Sequence, residues 1–332
     1  MTLIRKIQSK IGGKAKGIIR DIGHGSGFYK DFYSSARGNR IVIYHGICKQ
    51  DPLRFNTLFI TESTFEAHLI FYKKHFNVVS LDDYYKQNFS SNKFNVCLTF
   101  DDGFANNHQY VLPLLKKYDL PAAFFITAVR AAGYDVLWND LLSIVGRYGP
   151  PEITFNGEHY VKDSGKKYIS VPRRFRLADE LRKTGFTEKA KLIKELYPLA
   201  PFKTKKSDED YWLQMTSEQI KEMADCSLVT IGSHGYYHND LTGIPISDAI
   251  DELAHSKQYL ENITGKPVNS VAFPYGSYNQ AVVKAAQNAG YTQLLATELS
   301  TYRDNTLRGR LAVNPFISVN NQMYATVKGS YE

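Results

Sequence analysis

Two adjacent carboxylates, Asp101 and Asp102, follow directly on the apolar run Asn95–Phe100, and Gly103 follows them. Carboxylates at the end of a buried strand are costly to desolvate unless a partner charge or a metal offsets that cost. A solvated Asp-Gly turn is the alternative, with glycine supplying the bend. A second apolar run ends in Ser233-His234-Gly235-Tyr236-Tyr237-His238. Two histidines four apart can converge on one ion, and imidazole is a common ligand for zinc, iron, cobalt and nickel. Taken singly, such histidines are as readily surface or core residues. Taken together, one carboxylate and two imidazoles make a three-ligand site with positions left open for water. The other carboxylate then stands where a base is needed, which is the arrangement of a hydrolytic metal centre. A third run ends in Phe273-Pro274-Tyr275-Gly276. Proline fixes the chain there and glycine lets it turn, so the Tyr275 backbone N–H could face a developing oxyanion; an ordinary β-turn is the other reading.

These residues need a scaffold that gathers strand ends. From about Asn39 onward, short apolar runs alternate with helical stretches. Ile41–His45, Asn77–Leu81, Asn95–Phe100, Ala122–Thr127, Leu228–Ser233, Ser270–Pro274, Gln293–Thr297 and a run near Leu311–Val319 read as strands. They are β-branched or aromatic and nearly continuous in apolar character, as parallel strands covered on both faces tend to be. Helices are expected over Thr64–His75 after Ser63 as N-cap, over Val111–Tyr118, and over Thr216–Asp225 with the capping pattern Thr216-x-x-Gln219. Two more, Ile246–Thr264 and Asn279–Ala289, should stop at Gly265 and Gly290. Seven or eight such repeats predict an α/β fold, a barrel of parallel strands with helices outside, and an open doubly wound sheet is the alternative. The stretch 135–212 breaks the alternation. It holds a hairpin over Ile153–Val161 turning at Asn156-Gly157, then basic helical text over Arg173–Leu196, and reads as a mainly helical insertion.

The 332 residues, 43% hydrophobic and 22% charged, suffice for a large core and are too apolar for a disordered chain. No run approaches the ~20 apolar residues of a membrane span, and the first twenty residues lack the unbroken apolar stretch of a secretory signal. Cys48, Cys97 and Cys226 are odd in number and widely spaced, which favours a reducing compartment over a disulfide framework or a cysteine zinc site. A cytoplasmic location is therefore expected. Of the net charge of +8, +7 lies in residues 1–40, so the body has no basic surface to track phosphates and nucleic acid is not an expected partner. Within residues 1–22, Ile4, Ile7, Ile11, Ile18 and Ile22 recur at near-helical spacing among Lys6, Lys10, Lys14 and Lys16. A basic amphipathic helix of this kind either lies on an anionic membrane surface, here the inner face, or packs against the fold.

The three motifs resemble those of the NodB-homology polysaccharide deacetylases, carbohydrate esterase family 4. Thr99-Phe100-Asp101-Asp102-Gly103, His234-x-x-x-His238 and Phe273-Pro274-Tyr275-Gly276 stand in the family's order, each after a strand, and the resemblance spans Ile41–Tyr134 and Met215–Val319. It implies a distorted (β/α) barrel of about seven parallel strands over residues 39–332, interrupted at about 135–212 and preceded by the basic segment 1–38. It implies removal of acetyl groups from an N-acetylated glycan or glycan precursor, with one divalent metal ion as cofactor. Zinc is the first expectation, with nickel, cobalt or iron as alternatives. By the same resemblance Asp101 is the general base, Asp102, His234 and His238 bind the metal, and the Tyr275 N–H serves the oxyanion. Ile43-Tyr44-His45-Gly46 looks like the opening element of the poly-N-acetylglucosamine deacetylase branch, where the histidine is the general acid; His45 would take that role here, unless it is simply packed at a strand end.

Three departures from the family pattern are visible. Ala272 stands where an arginine often steadies the base, with Arg308 or Arg310 as candidate substitutes. Gly235 replaces the Ser or Thr that usually follows the first metal histidine, and no Leu-x-His lies near the C-terminus. They leave room for a catalytically silent carbohydrate-binding barrel, or for a related C–N hydrolase acting on a small amide. Oligomeric state is left open.

Overall fold

The strand Asn95–Phe100 is buried at all six positions, as a strand covered on both faces must be. It belongs to a nine-stranded sheet in a computed structural model that describes residues 16–23, 29–55, 57–200, 206–299 and 302–331. The strands are β1 (Asn39–Tyr44), β2 (Asn77–Val78), β3 (Asn95–Phe100), β4 (Ala122–Ile126), β5 (Val229–Ser233), β6 (Ser270–Ala272), β7 (Gln293–Ala296), β8 (Leu307–Gly309) and β9 (Leu311–Ala312). Their order is β8-β7-β6-β5-β4-β3-β1-β9, with β2 also paired to β3, and every pairing is parallel. The two ends of that order are β8 and β9, yet only Arg310 separates them in the chain. The sheet thus nearly closes into a distorted (β/α) barrel, and Arg310 sits at the seam.

Side-chain alternation divides the strands between two cores. Ile41, Cys97, Ala123, Phe125, Ala272 and Leu295 form a small cluster of their own, while Val42, Tyr44, Leu98, Phe100 and Phe124 join the larger cluster shared with the helices. Beneath β1 the Tyr44 hydroxyl meets His68 Nδ1 and the Tyr72 hydroxyl, each at 2.9 Å. Burial pulls the His68 imidazole down to about 3, so it is neutral and serves as a core hydrogen-bonding group.

Several elements differ from the reading of the sequence. The run Asn77–Leu81 is a strand only over Asn77–Val78, because Ser80 caps a short helix, Leu81–Tyr85, through the Asp83 N–H. Likewise the last run pairs only over Leu311–Ala312, and Ser318 caps the helix Val319–Lys328. The helix Glu62–His75 is capped by Thr61 rather than Ser63. Thr216 and Gln219 do form a reciprocal capping box, and Gly265 ends Ile246–Thr264 in the left-handed conformation at φ 65°. In the stretch 135–212 the hairpin pairs Glu152–Phe155 with Glu158–Lys162, and Asn156 and Gly157 take positive φ at its turn. A third strand, Tyr168–Ser170, extends it. The helices Trp138–Tyr148, Leu177–Leu181 and Phe186–Leu196 complete a separate apolar cluster that includes Trp138, Leu141, Tyr160 and Leu192.

Of the amphipathic segment, residues 1–15 lie outside the described part. Residues 16–23 are helical and meet the body through their polar side. Arg20 donates to Asn321 Oδ1 at 2.7 Å and lies over the Tyr324 ring, and Asp21 accepts from Ser318 Oγ at 2.6 Å. Ile18, Ile19 and Ile22 remain exposed.

Candidate active site

Cys97 and Thr99 face inward on β3, and Asp101, one residue past its end, continues that parity. It meets Arg310 across the seam. The guanidinium grips the carboxylate with both arms, Nη1 to Oδ1 at 2.8 Å and Nη2 to Oδ2 at 2.7 Å, and Nη1 also reaches Thr99 Oγ1 at 3.2 Å. Both partners are buried. Burial alone would raise the Asp101 carboxyl, but Arg310 first, then His234 and His45, hold it below the usual carboxylate range. Of the two arginines considered as substitutes at Ala272, Arg310 makes this contact; Arg308 donates to the carbonyls of Asn305 and Leu307.

Regular alternation would turn Asp102 away from Asp101. Instead the strand has ended at Phe100 and Asp102 has a φ of 75°, uncommon for a non-glycine residue. Its Oδ1 lies 3.3 Å from His234 Nε2 and 3.3 Å from His238 Nε2. The candidate ligand atoms of the three residues fall within 4.8 Å of one another, and all three residues are buried. Burial tends to raise the Asp102 carboxyl, but the two imidazoles hold it well below the ordinary value. His234 Nδ1 bonds the Ala272 carbonyl at 2.8 Å, which fixes the ring and presents Nε2 to Asp102. His238 has a φ of 57° and Tyr275 one of 60°, so three residues of this cluster occupy the left-handed region. The Tyr275 ring lies 4.8 Å from that of His238.

The loop between the histidines is fastened without the missing Ser or Thr. Gly235 has a φ of 76°, which favours glycine. Ser233 Oγ accepts from the Gly235 N–H at 3.1 Å. The buried Glu252 carboxylate accepts from the N–H groups of Tyr236 and Tyr237 and from Asn239 Nδ2. The segment 135–212 adds a second clamp. Lys189 donates to Asn239 Oδ1, and burial pulls its ammonium down to about 8. Arg182 donates to Asp240 Oδ2 and Ser277 Oγ, each at 2.8 Å, with its guanidinium 4.4 Å from the Tyr275 ring centre. No local sequence motif marks Glu252, Lys189 or Arg182. Asp140 is a further unmarked neighbour. It is buried on the helix Trp138–Tyr148, and burial first, then the Asp102 charge, pushes its carboxyl well above the usual range.

A carboxylate and two imidazoles, oriented and desolvated, suit a divalent cation of the zinc type. The family model for polysaccharide deacetylase matches residues 90–163 and 192–294, more than half of the chain and inclusive of all three motifs. The chain belongs to the polysaccharide deacetylase family. Among relatives of this chain, YxkH of Bacillus subtilis (strain 168), which carries the name of a polysaccharide deacetylase, is 22% identical over 262 residues. That alignment covers 78% of this chain and 64% of the relative, so the chain spans less than two thirds of that protein's length. The fold is similar to that of Streptococcus pyogenes deacetylase PplD solved with acetate, at a TM-score of 0.55 and 18% identity over 86% of this chain and 97% of that one. It is also similar to IcaB from Ammonifex degensii, at 0.54 and 17% over 88% and 97%. Among the described residues, no helix is long and apolar enough to cross a membrane.

Proposed function

We propose that this protein is a metal-dependent hydrolase that removes N-acetyl groups from an amino-sugar glycan or glycan precursor. The observation that carries the reading is Asp102 Oδ1 at 3.3 Å from both imidazoles, with the arginine-gripped Asp101 next to it in sequence. Asp102, His234 and His238 would hold one divalent cation, zinc in the first instance. When bound, such a cation polarises the acetamide carbonyl and acidifies water.

In this reading Asp101 is the general base. Its ionised carboxylate takes a proton from the attacking water, and Arg310 keeps it ionised in a buried place. The Tyr275 N–H stabilises the oxyanion that develops on the acetyl carbonyl. His45 gives a proton to the departing amine, because an unprotonated amide nitrogen leaves poorly. Tyr44 pairs with Phe100 and its carbonyl accepts from the Asp101 N–H at 3.0 Å, so His45 follows β1 at the same strand end as Asp101, which supports its place in the site. Residues 39–332 are taken as one unit with 135–212 inserted; the family match breaks within that stretch, over 164–191. The Arg310 grip answers the missing motif arginine and weakens the case for a silent carbohydrate-binding barrel.

The test is acetate release from a panel of N-acetylated glycans and small amides, with and without chelator. Release from glycans that stops on chelation and returns with zinc is the expected result. Binding without release would favour the silent barrel, and release from small amides alone the third reading. In the same assay His45→Ala should slow amide substrates by about two orders of magnitude and spare activated aryl acetates, whose leaving groups need little protonation. Equal losses on both would make His45 structural.

The same reading includes peripheral contact with an anionic membrane through residues 1–22. The exposed side of helix 16–23 supports it, since Ile18, Ile19 and Ile22 face away from the body with Phe316 exposed as well. Each Lys or Arg near an anionic surface contributes about 1 kcal/mol. Flotation with anionic liposomes should carry the full chain at low salt and release it at high salt. A chain starting at Ser34 should stay soluble throughout, and a full chain that never floats would refute the contact.

A further inference from the structure

A cavity of about 190 Å³ opens beside Asp102, and the segment 135–212 builds most of it. Phe59 and Tyr168 provide aromatic walls, Asn139 and Asp140 contribute polar groups from the helix Trp138–Tyr148, and Lys167 and Arg176 bring cationic heads. Asp140 is 5% exposed, and its Oδ2 has no hydrogen-bond partner among the described residues; the same holds for Asn139 Oδ1. Buried oxygens left unpaired cost free energy, and the great majority of such groups in folded proteins find a partner. Here two such oxygens belong to residues lining one cavity that also touches a candidate metal ligand.

Those unpaired polar atoms define the ligand. A carboxylate has no proton to donate to the Asn139 amide oxygen, and the Asp102 charge disfavours an anion. An apolar group would leave both oxygens unsatisfied. A neutral ring carrying hydroxyls offers donors for them, acceptors for Lys167 and Arg176, and C–H faces for the aromatic walls. We propose that this cavity binds a sugar ring of the glycan substrate, with Asn139 Oδ1 accepting a hydrogen bond from one hydroxyl and the Asp140 carboxyl hydrogen-bonding another. The inference rests on the glycan reading above and adds a binding role for segment 135–212.

The test uses the full chain and an oligosaccharide of N-acetylglucosamine. Asp140→Ala should raise KM by about tenfold to a hundredfold, the range expected when a buried hydrogen bond to a ligand is lost. It should change kcat by less than about threefold and leave zinc content equal to wild type. Calorimetry on the metal-free protein should show the same loss of oligosaccharide affinity. Asn139→Ala should act in the same direction, and it carries the test if Asp140→Ala does not fold. Unchanged KM and unchanged affinity in the folded variants, or a fall in kcat with KM unaltered, overturns the proposal. A wild type that releases no acetate and binds no oligosaccharide overturns the glycan reading itself, whereas an active wild type with indifferent variants overturns this inference alone.

Discussion

Replacing Arg310 by methionine is expected to lower kcat/KM at neutral pH by about two to three orders of magnitude, in the range of losing a general base. Asp101 is 4% exposed and its carboxylate is gripped by both arms of one guanidinium. Burial raises the carboxyl and Arg310 is the first group opposing it. With methionine in its place the desolvation is no longer offset, and Asp101 holds its proton to higher pH. The acidic limb of the kcat/KM profile should therefore move upward, with activity partly recovered in alkaline buffer. Stability changes sign in parallel. In the wild type the depressed carboxyl contributes stability above its unfolded value near ~3.9, and loses it as pH falls through the lower folded value. In the variant the carboxyl is raised instead, so stability is lost as pH climbs from ~3.9 toward the new folded value. Breaking a buried pair from one side costs about 3–5 kcal/mol, which thermal unfolding at pH 7 reads directly. Arg310→Lys, which keeps the charge but not the two-armed grip, should fall between. An acidic limb that stays where it is in Arg310→Met would show that Arg310 does not tune Asp101.

The path by which Arg310 reaches Asp101 shows where reading the sequence stops. Apolar runs bounded by glycine, proline and capping residues reveal most strands, because burial on both faces leaves a continuous apolar signature. The strand Leu307–Gly309 carries no such signature: it is three residues with an arginine at its centre. Yet it is one edge of the sheet, and with Leu311–Ala312 at the other edge it fixes Arg310 at the seam. A contact across 209 positions of sequence becomes visible only once the barrel closes. The motif residues are different. Asp101 and Asp102 are neighbours in the chain and His234 and His238 share one loop, so spacing alone suggested a common site. Spacing does not reveal that Asp102 turns through a positive φ to face the histidines while Asp101 stays with the interior of its strand. Glu252, Lys189 and Arg182 escape notice for a related reason. Each sits in ordinary amphipathic helical text, and only packing turns its polar end toward the histidine loop or the Tyr275 turn.

His234→Ala is expected to reduce zinc affinity at least about a hundredfold and to abolish detectable glycan deacetylation. Loss of a partner that merely orients a ligand costs ten- to a hundredfold in affinity, so loss of the ligand itself costs at least as much. His234 is the better oriented of the two histidines, since its Nδ1 is tied to the Ala272 carbonyl at 2.8 Å while no partner is found for His238 Nδ1 among the described residues. Wild-type affinity should also fall as the medium becomes acidic. Burial lowers the His234 imidazole, but Asp101 and Asp102 more than compensate and raise it above its ordinary value. A proton then competes with the cation for Nε2, and the competition already begins above the ordinary imidazole value and strengthens as pH falls. Competition against a chromogenic chelator over a pH series measures both effects on one protein. Arg310→Met serves as the contrast, because it alters the base while leaving all three candidate ligands in place: its zinc affinity should stay within a few-fold of wild type while its turnover falls. A His234→Ala protein that stays folded and still binds one zinc as tightly as the wild type would remove His234 from the ligand set and, with it, the reading of Asp102, His234 and His238 as a single metal centre.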